Sequence, residues 1–129
     1  MKKNQQHEKI FRGFEIGLYE AALRSNPNNV EALSSLGYIY SLEGFHDKAL
    51  EIDQRLARLL PEEAVVHYNL ACSLSQVNKN DEAFNELEMA ILLGYSDWKH
   101  MTKDADMDNL RKDPRYQQLM SSLKKKYVV

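Results

Sequence analysis

The sequence contains few of the residues that interrupt helices or form tight turns. It has 5 Gly and 3 Pro among 129 residues, which is low for a loop-rich or all-β chain. Hydrophobic residues make up 43% and charged residues 28% of the chain, as is typical of globular proteins. A chain of this length is enough for one ordinary domain with a buried core. The composition therefore predicts a single, mainly helical domain.

Cysteine is almost absent, since Cys72 is the only one. One thiol can form neither an internal disulfide nor a cysteine-based zinc site, which favours a reducing compartment. Residues 1–20 lack the continuous apolar run of a secretory signal, and no segment approaches the roughly 18 apolar residues of a membrane span. These absences predict a cytoplasmic protein without a membrane partner.

A strong net charge is also missing, because the formal charge is only −2. The basic runs lie at the two ends, at residues 2–3 and 124–126. We interpret them as solvated tails or as favourable charge at a helix C-terminus. No charge pattern of this kind attracts a phosphate backbone, so no nucleic-acid partner is expected.

Two proline-containing segments divide the sequence at a regular interval. Pro27 in "NPNNVEAL" and Pro61 in "LLPEEAVVHY" are 34 residues apart. Between them, apolar residues recur at three- and four-residue steps in one predicted helix over 30–41 and in a second that ends before Pro61. The stretch "EGFHD" at 43–47 supplies the turn residues. The unit is predicted to be a helix, a tight turn and a helix.

The same layout follows one interval later. A predicted helix over about 63–76, a turn in "VNKND" and a further helix carry apolar residues at the matching positions. Small residues recur with the same spacing, Gly37 with Ala71 and Ala49 with Ala83. Since close approach of antiparallel helices requires small residues where they cross, we expect these four positions at helix contacts.

This 34-residue unit resembles the tetratricopeptide repeat. The matching residues of the first full unit are Leu36, Gly37, Tyr40, Gly44, Phe45, Ala49 and Pro61, and those of the second are Leu70, Ala71, Ala83 and Ala90. Asp53 and Leu56 depart from the family pattern, Asn78 replaces the turn Gly, and Tyr95 stands in place of Pro. The resemblance implies an all-α fold: an α-α superhelix of antiparallel helix pairs with a C-terminal capping helix.

The repeat pattern also predicts how the chain is organised. We expect one domain over 1–129, with a partial first repeat at 1–27, full repeats at 28–61 and 62–95, and a C-terminal cap at 96–129. Residues 94–119 resemble the closing segment that follows some bacterial tetratricopeptide arrays. Read from its residues, this segment holds a short helix over 97–103, a capped turn over 104–108, and a last helix that Asp113 caps and Pro114 begins.

No residue pattern indicates an enzyme or a cofactor. The stretch "DADMD" at 104–108 alternates carboxylates as a calcium loop does, but Asn109 and Arg115 occupy the positions of the loop's Gly and Glu. We interpret these carboxylates as turn caps. The four histidines are not at metal-binding spacing, and His67 is interpreted as a packed, hydrogen-bonded core residue. The sequence thus predicts no metal, no cofactor and no catalytic residue.

A candidate binding surface remains on the first helix of each repeat, which in this family lines a concave groove. The predicted groove residues are Ser34, Tyr38, Leu42, Tyr68, Asn69, Cys72, Lys99 and Lys103. The two tyrosines offer aromatic contact area, and the Asn69 amide can bond a peptide unit. Some family members clamp a C-terminal carboxylate with Lys and Asn residues. Asn69, Lys99 and Lys103 match that set, but Ser34 and Tyr38 do not. General peptide binding is therefore preferred over a carboxylate clamp.

Two functions follow from these patterns. The preferred one is a non-enzymatic adaptor that binds a peptide or protein segment in the groove. The alternative is a structural homodimer without a groove ligand, assembled through the N-terminal helix. That helix is expected to lack a cover within the chain for its apolar residues Ile10, Phe11, Phe14 and Leu18.

Overall fold

A computed structural model describes residues 2–126 of the chain, with side chains described for residues 5–126. The helices are α1 (Lys2–Ser25), α2 (Val30–Leu42), α3 (His46–Leu59), α4 (Ala64–Gln76), α5 (Asn80–Leu92), α6 (Trp98–Lys103), α7 (Asp108–Arg111) and α8 (Pro114–Lys126). A 3₁₀ helix, Ala105–Met107, lies between α6 and α7. The described range contains no strand, so the predicted all-α fold of helix pairs is confirmed.

The chain divides into two compact units, Met1–Leu59 and Leu60–Val129. In the first unit, α1 packs against α2, and α2 against α3. In the second unit, α4 packs against α5, while the 3₁₀ helix and α7 also contact α4. The predicted single domain and its repeat limits stay predictions, since this division does not test them.

The two turns inside the helix pairs have the same backbone geometry. Gly44 follows α2 with φ of 80°, and Asn78, 34 residues later, follows α4 with φ of 62°. Each is bracketed by the hydrogen bonds of a Schellman motif. Phe45 N donates to Tyr40 O at 2.8 Å, and Lys79 N donates to Leu74 O at 2.9 Å. Asn replaces Gly at this position because its short polar side chain tolerates the left-handed conformation.

Small residues lie where the paired helices cross, as the spacing predicts. A Cβ added to Gly37 would come within 2.9 Å of Ile52 Cγ2 on α3. Ala49, Ala71 and Ala83 are all buried. The short distance between the helices therefore limits the size of the side chains at these positions.

The closing segment is built on carboxylate caps. Asp97 accepts from His100 N at 3.1 Å at the start of α6, and Asp104 Oδ1 accepts from Asp106 N at 3.0 Å at the start of the 3₁₀ helix. Asp113 Oδ1 accepts from Arg115 N at 3.0 Å, and α8 begins at Pro114. Asp104 and Asp113 therefore act as caps, as predicted, whereas Asp106 accepts from Gln76 and Asp108 pairs with Arg111. The short helix α7 was not predicted.

In α1, one side of the helix is apolar and exposed. The exposed fractions are 74% for Ile10, 62% for Phe11, 64% for Phe14 and 55% for Leu18. Other residues of α1 attach it to α2 and its turn: Arg12 pairs with Glu43 at 2.8 Å, and Glu20 accepts from Tyr40 OH at 2.9 Å. Within the part of the chain that the structure describes, no helix has the length and apolar character needed to cross a membrane.

Candidate peptide-binding surfaces

The first unit presents an open face on α2. Ser34, Tyr38 and Leu42 follow one another at four-residue intervals, which places them on one side of the helix. Tyr38 is 67% and Leu42 51% exposed. These predicted groove residues are accessible, as contact with a peptide requires.

The corresponding face of α4 is covered by the closing segment. One repeat interval separates Ser34 from Tyr68 and Tyr38 from Cys72, yet Tyr68 and Cys72 are buried. Their burial follows from the contacts of α4 with the 3₁₀ helix and α7. The expectation that Tyr68 offers open aromatic surface is therefore wrong, because its ring belongs to the interior of the second unit.

Several side-chain hydrogen bonds join this face of α4 to the closing segment. Tyr68 OH donates to Asp104 Oδ2 at 2.7 Å, and Gln76 Nε2 donates to Asp106 Oδ1 at 2.6 Å. The Asn109 side chain donates to the carbonyl of Ser75 at 2.8 Å. Hydrogen bonds to a carboxylate are stronger than those between neutral groups. The contact between α4 and the closing segment is therefore formed by specifically paired polar groups.

Tyr68 is further fixed by its neighbours. Its ring stacks on Tyr95, with centroids 4.2 Å apart and planes 8° apart. Burial is the main cause that raises the pKa of both hydroxyls, that of Tyr95 to about 12. Both side chains are therefore neutral at physiological pH, which allows Tyr68 to donate to Asp104.

Cys72, Asp104 and Asp106 bring three metal-binding atoms within 4.8 Å of one another. The carboxylates are already acceptors for Tyr68 and Gln76. Burial, followed by the charges of Asp104 and Asp106, raises the pKa of the Cys72 thiol well above its ordinary value. A protonated thiol is a poor ligand. We assign these residues to packing and hydrogen bonding.

The uncovered part of α4 borders a surface hollow in the second unit. Its volume is about 480 Å³, and α4 contributes Ala64, Val65, Tyr68 and Asn69 to the lining. The opposite wall comes from residues 94–97 and His100. Val65 and Asn69 are exposed. The exposed Asn69 amide thus shares the lining of this hollow with the apolar side chain of Val65 and with Tyr68 and Tyr95.

The two lysines predicted for the groove are not part of this hollow. Lys99 and Lys103 are exposed on α6, and the hollow is lined by His100 of the same helix. Lys99 instead borders a second hollow between α6 and α8. Asn69 therefore does not line the same hollow as Lys99 or Lys103.

His67 confirms its predicted core position. It is buried, with Nδ1 at 2.5 Å from Glu86 Oε2 and Nε2 at 2.8 Å from the carbonyl of Pro61. Burial lowers the pKa of the imidazole, but these two hydrogen bonds outweigh burial, and the pKa is raised. His67 therefore connects the start of α4 to α5.

Comparison with known proteins agrees with this architecture. A family model described as "Tetratricopeptide repeat" matches residues 18–51, which run from the second half of α1 into α3. The chain contains a tetratricopeptide repeat. The matched residues include Gly37 and Gly44, the small crossing residue and the turn residue of the first helix pair.

Two curated relatives are similar to part of this sequence. A chloroplastic protein of Arabidopsis thaliana is 32% identical over 95 residues, covering 71% of this chain and 28% of that protein. An uncharacterized protein of Sinorhizobium fredii, y4yS, is 34% identical over 56 residues, covering 43% of this chain and 31% of that protein. The chain thus spans less than a third of the length of either relative.

Proposed function

We propose that this tetratricopeptide-repeat protein is a non-enzymatic adaptor that binds an extended segment of another protein. Two surfaces support the proposal, the open face of α2 with Tyr38 and Leu42 and the hollow beside Asn69 on α4. The hollow carries the proposal furthest because it combines a volume of about 480 Å³ with an exposed amide and an exposed Val65. An amide side chain can both donate to and accept from a peptide unit.

The test uses two double variants, one for each unit. Tyr38→Ala with Leu42→Ala removes the open face of α2, and Val65→Ala with Asn69→Ala removes the exposed lining of the hollow. Proteins captured by the immobilised wild-type protein are quantified by mass spectrometry and compared with those captured by each variant. We expect at least one double variant to lose partners about tenfold, since truncating an interface anchor costs roughly 1–2 kcal/mol.

A matched control separates lost binding from lost folding. Asn85→Ala with Leu92→Ala changes two exposed residues of α5, one polar and one apolar, outside both surfaces. All three variants are expected to keep the wild-type melting temperature and circular dichroism. Equal capture by all of them would contradict the proposal. Tyr68→Ala is unsuitable as a groove variant because it would break the stack and the bond to Asp104.

A second candidate function is self-assembly through α1. The observation that favours it is the exposed apolar side formed by Ile10, Phe11, Phe14 and Leu18. A two-fold axis would bury this patch against its own copy without any further partner. Self-assembly and peptide binding use different surfaces, so one does not exclude the other.

A location in a reducing compartment such as the cytoplasm also remains part of the proposal. It is supported by the single, buried thiol of Cys72. We further propose that the adaptor acts without a cofactor, a membrane partner or a nucleic-acid partner. Labelled protein tracked through cell fractionation would test the location.

A further inference from the structure

A second hollow lies between α6 and α8, and it differs in chemistry from the one beside Asn69. Six residues line it, three from each of two helices: Trp98, Lys99 and Thr102 of α6, and Met120, Leu123 and Lys124 of α8. Its volume is about 250 Å³, below the roughly 300–1,000 Å³ of pockets that take drug-sized ligands. A hollow of this size fits a single large side chain better than a cofactor.

The floor of this hollow is apolar. Leu123 is buried, whereas Trp98 and Met120 are half-buried. Met120 and Leu123 are three residues apart on α8, which places them on one side of the helix. The aliphatic stems of the two lysines add further apolar surface at the edge. An occupant would therefore need an apolar group that reaches the floor.

The rim of the hollow is basic. Neither α6 ("WKHMTK") nor α8 ("PRYQQLMSSLKKK") contains an acidic residue, while together they carry five lysines. Two of these lysines, Lys99 and Lys124, line the hollow, and none of its six lining residues is acidic. The protein as a whole has a formal charge of −2. The positive charge is thus local to this surface, and it complements an anionic partner.

We propose that the hollow between α6 and α8 docks an acidic polypeptide segment that carries one bulky apolar side chain. The apolar side chain fills the hollow, and carboxylates beside it in the partner pair with Lys99 and Lys124 at the rim. This surface is separate from the α2 face and from the hollow beside Asn69. It would give the adaptor a second docking point with its own specificity.

Trp98 provides the measurement because it is the only tryptophan in the chain and it lines the hollow. The full chain is titrated with a synthetic Glu-rich peptide that contains a single Phe and has blocked termini. We expect a saturable change in Trp98 fluorescence that weakens as salt increases. A peptide with Ala in place of Phe, and another with Gln in place of Glu, should each bind about tenfold more weakly or worse.

Charge reversal then assigns the site. Lys99→Glu with Lys124→Glu should weaken binding of the Glu-rich peptide at least about tenfold. Lys9→Glu with Lys79→Glu makes the same change in net charge at exposed positions outside the hollow and should leave binding near wild type. Circular dichroism confirms that both variants are folded. Equal weakening in the two double variants would overturn the proposal.

Two further results would also overturn it. One is the absence of any saturable response to the Glu-rich peptide. The other is a response to a fatty acid such as laurate without a response to the peptide, which would make the hollow a site for anionic amphiphiles. The variant Val65→Ala with Asn69→Ala should bind the Glu-rich peptide normally, so failure of this proposal can be distinguished from failure of the proposed function.

Discussion

His67 shows how much a single residue position can be predicted. Its place on the core-facing side of α4 follows from the helix period, and the structure confirms that it is buried and hydrogen-bonded. Its partners could not be predicted in the same way. Glu86 lies 19 residues away, and only the packing of α4 against α5 brings the two side chains together. Periodicity identifies the buried side of a helix but not the atoms that face it.

The pair of His67 and Glu86 predicts a pH dependence of stability. The pKa of His67 is higher in the folded protein than its ordinary value because the bonds to Glu86 and to the Pro61 carbonyl outweigh burial. The stabilisation is therefore complete below about pH 6.5, the ordinary value, and is lost as pH rises through the raised pKa of the folded state. Urea midpoints measured from about pH 6.5, the ordinary value, to mildly alkaline pH should therefore fall with rising pH.

Glu86→Gln is the control for this effect. Gln keeps an acceptor oxygen but removes the negative charge, so the fall of the urea midpoint with pH should become shallower. The other histidines are unchanged in this variant, and the difference between the two profiles isolates the pair. Parallel profiles for wild type and Glu86→Gln would rule out this role of His67.

At the scale of helices, the 34-residue interval was the most informative signal. It predicted the helix pairs, and it matched Gly44 with Asn78, which both adopt positive φ. The closing segment was expected to cap the repeats, but the interval did not predict that it covers the face of α4 that carries Tyr68 and Cys72. The bond from Tyr68 to Asp104 spans 36 residues of sequence, and α7 and the 3₁₀ helix are too short to show a helix period. The burial of Tyr68 and Cys72 therefore could not be read from the repeat pattern.

The crossing of α2 and α3 gives a prediction at this scale. Gly37→Ala gains about 1 kcal/mol of helix propensity, but the new Cβ would be 2.9 Å from Ile52 Cγ2 and 3.5 Å from Asp53 Oδ1. Because Ile52 is β-branched and buried, it cannot easily move aside. Overpacking of this kind costs roughly 1–3 kcal/mol, so we expect a net loss of about 1 kcal/mol in the free energy of unfolding.

The same substitution in α1 should have the opposite sign. Gly13 also lies inside a helix, but a Cβ there would meet no atom within 4 Å. Gly13→Ala should therefore stabilise the protein by about 0.5–1 kcal/mol through helix propensity alone. Chemical denaturation of the two variants measures both values. Stabilisation by Gly37→Ala would show that the helices can separate without cost at this crossing.

For the molecule as a whole, the sequence predicted exposed apolar residues on α1, and the structure places them on its surface. Whether a copy of the chain covers them is a property of the protein in solution. Four large apolar side chains at 55–74% exposure form a patch that proteins commonly use for association. If α1 is a dimer interface, light scattering should give a mass that rises from one to two chains with concentration.

Phe14→Glu tests this interface directly. A symmetric dimer contains the substitution twice, and loss of a central aromatic anchor costs about 2 kcal/mol per copy, so the dissociation constant should rise about a thousandfold. Leu92→Glu is the matched control, because it introduces the same charge at an apolar residue of α5 that is 81% exposed. This variant should remain a dimer. A wild-type protein that stays monomeric at every concentration, or equal dissociation of both variants, would exclude assembly through α1 and leave peptide binding as the function that the surface supports.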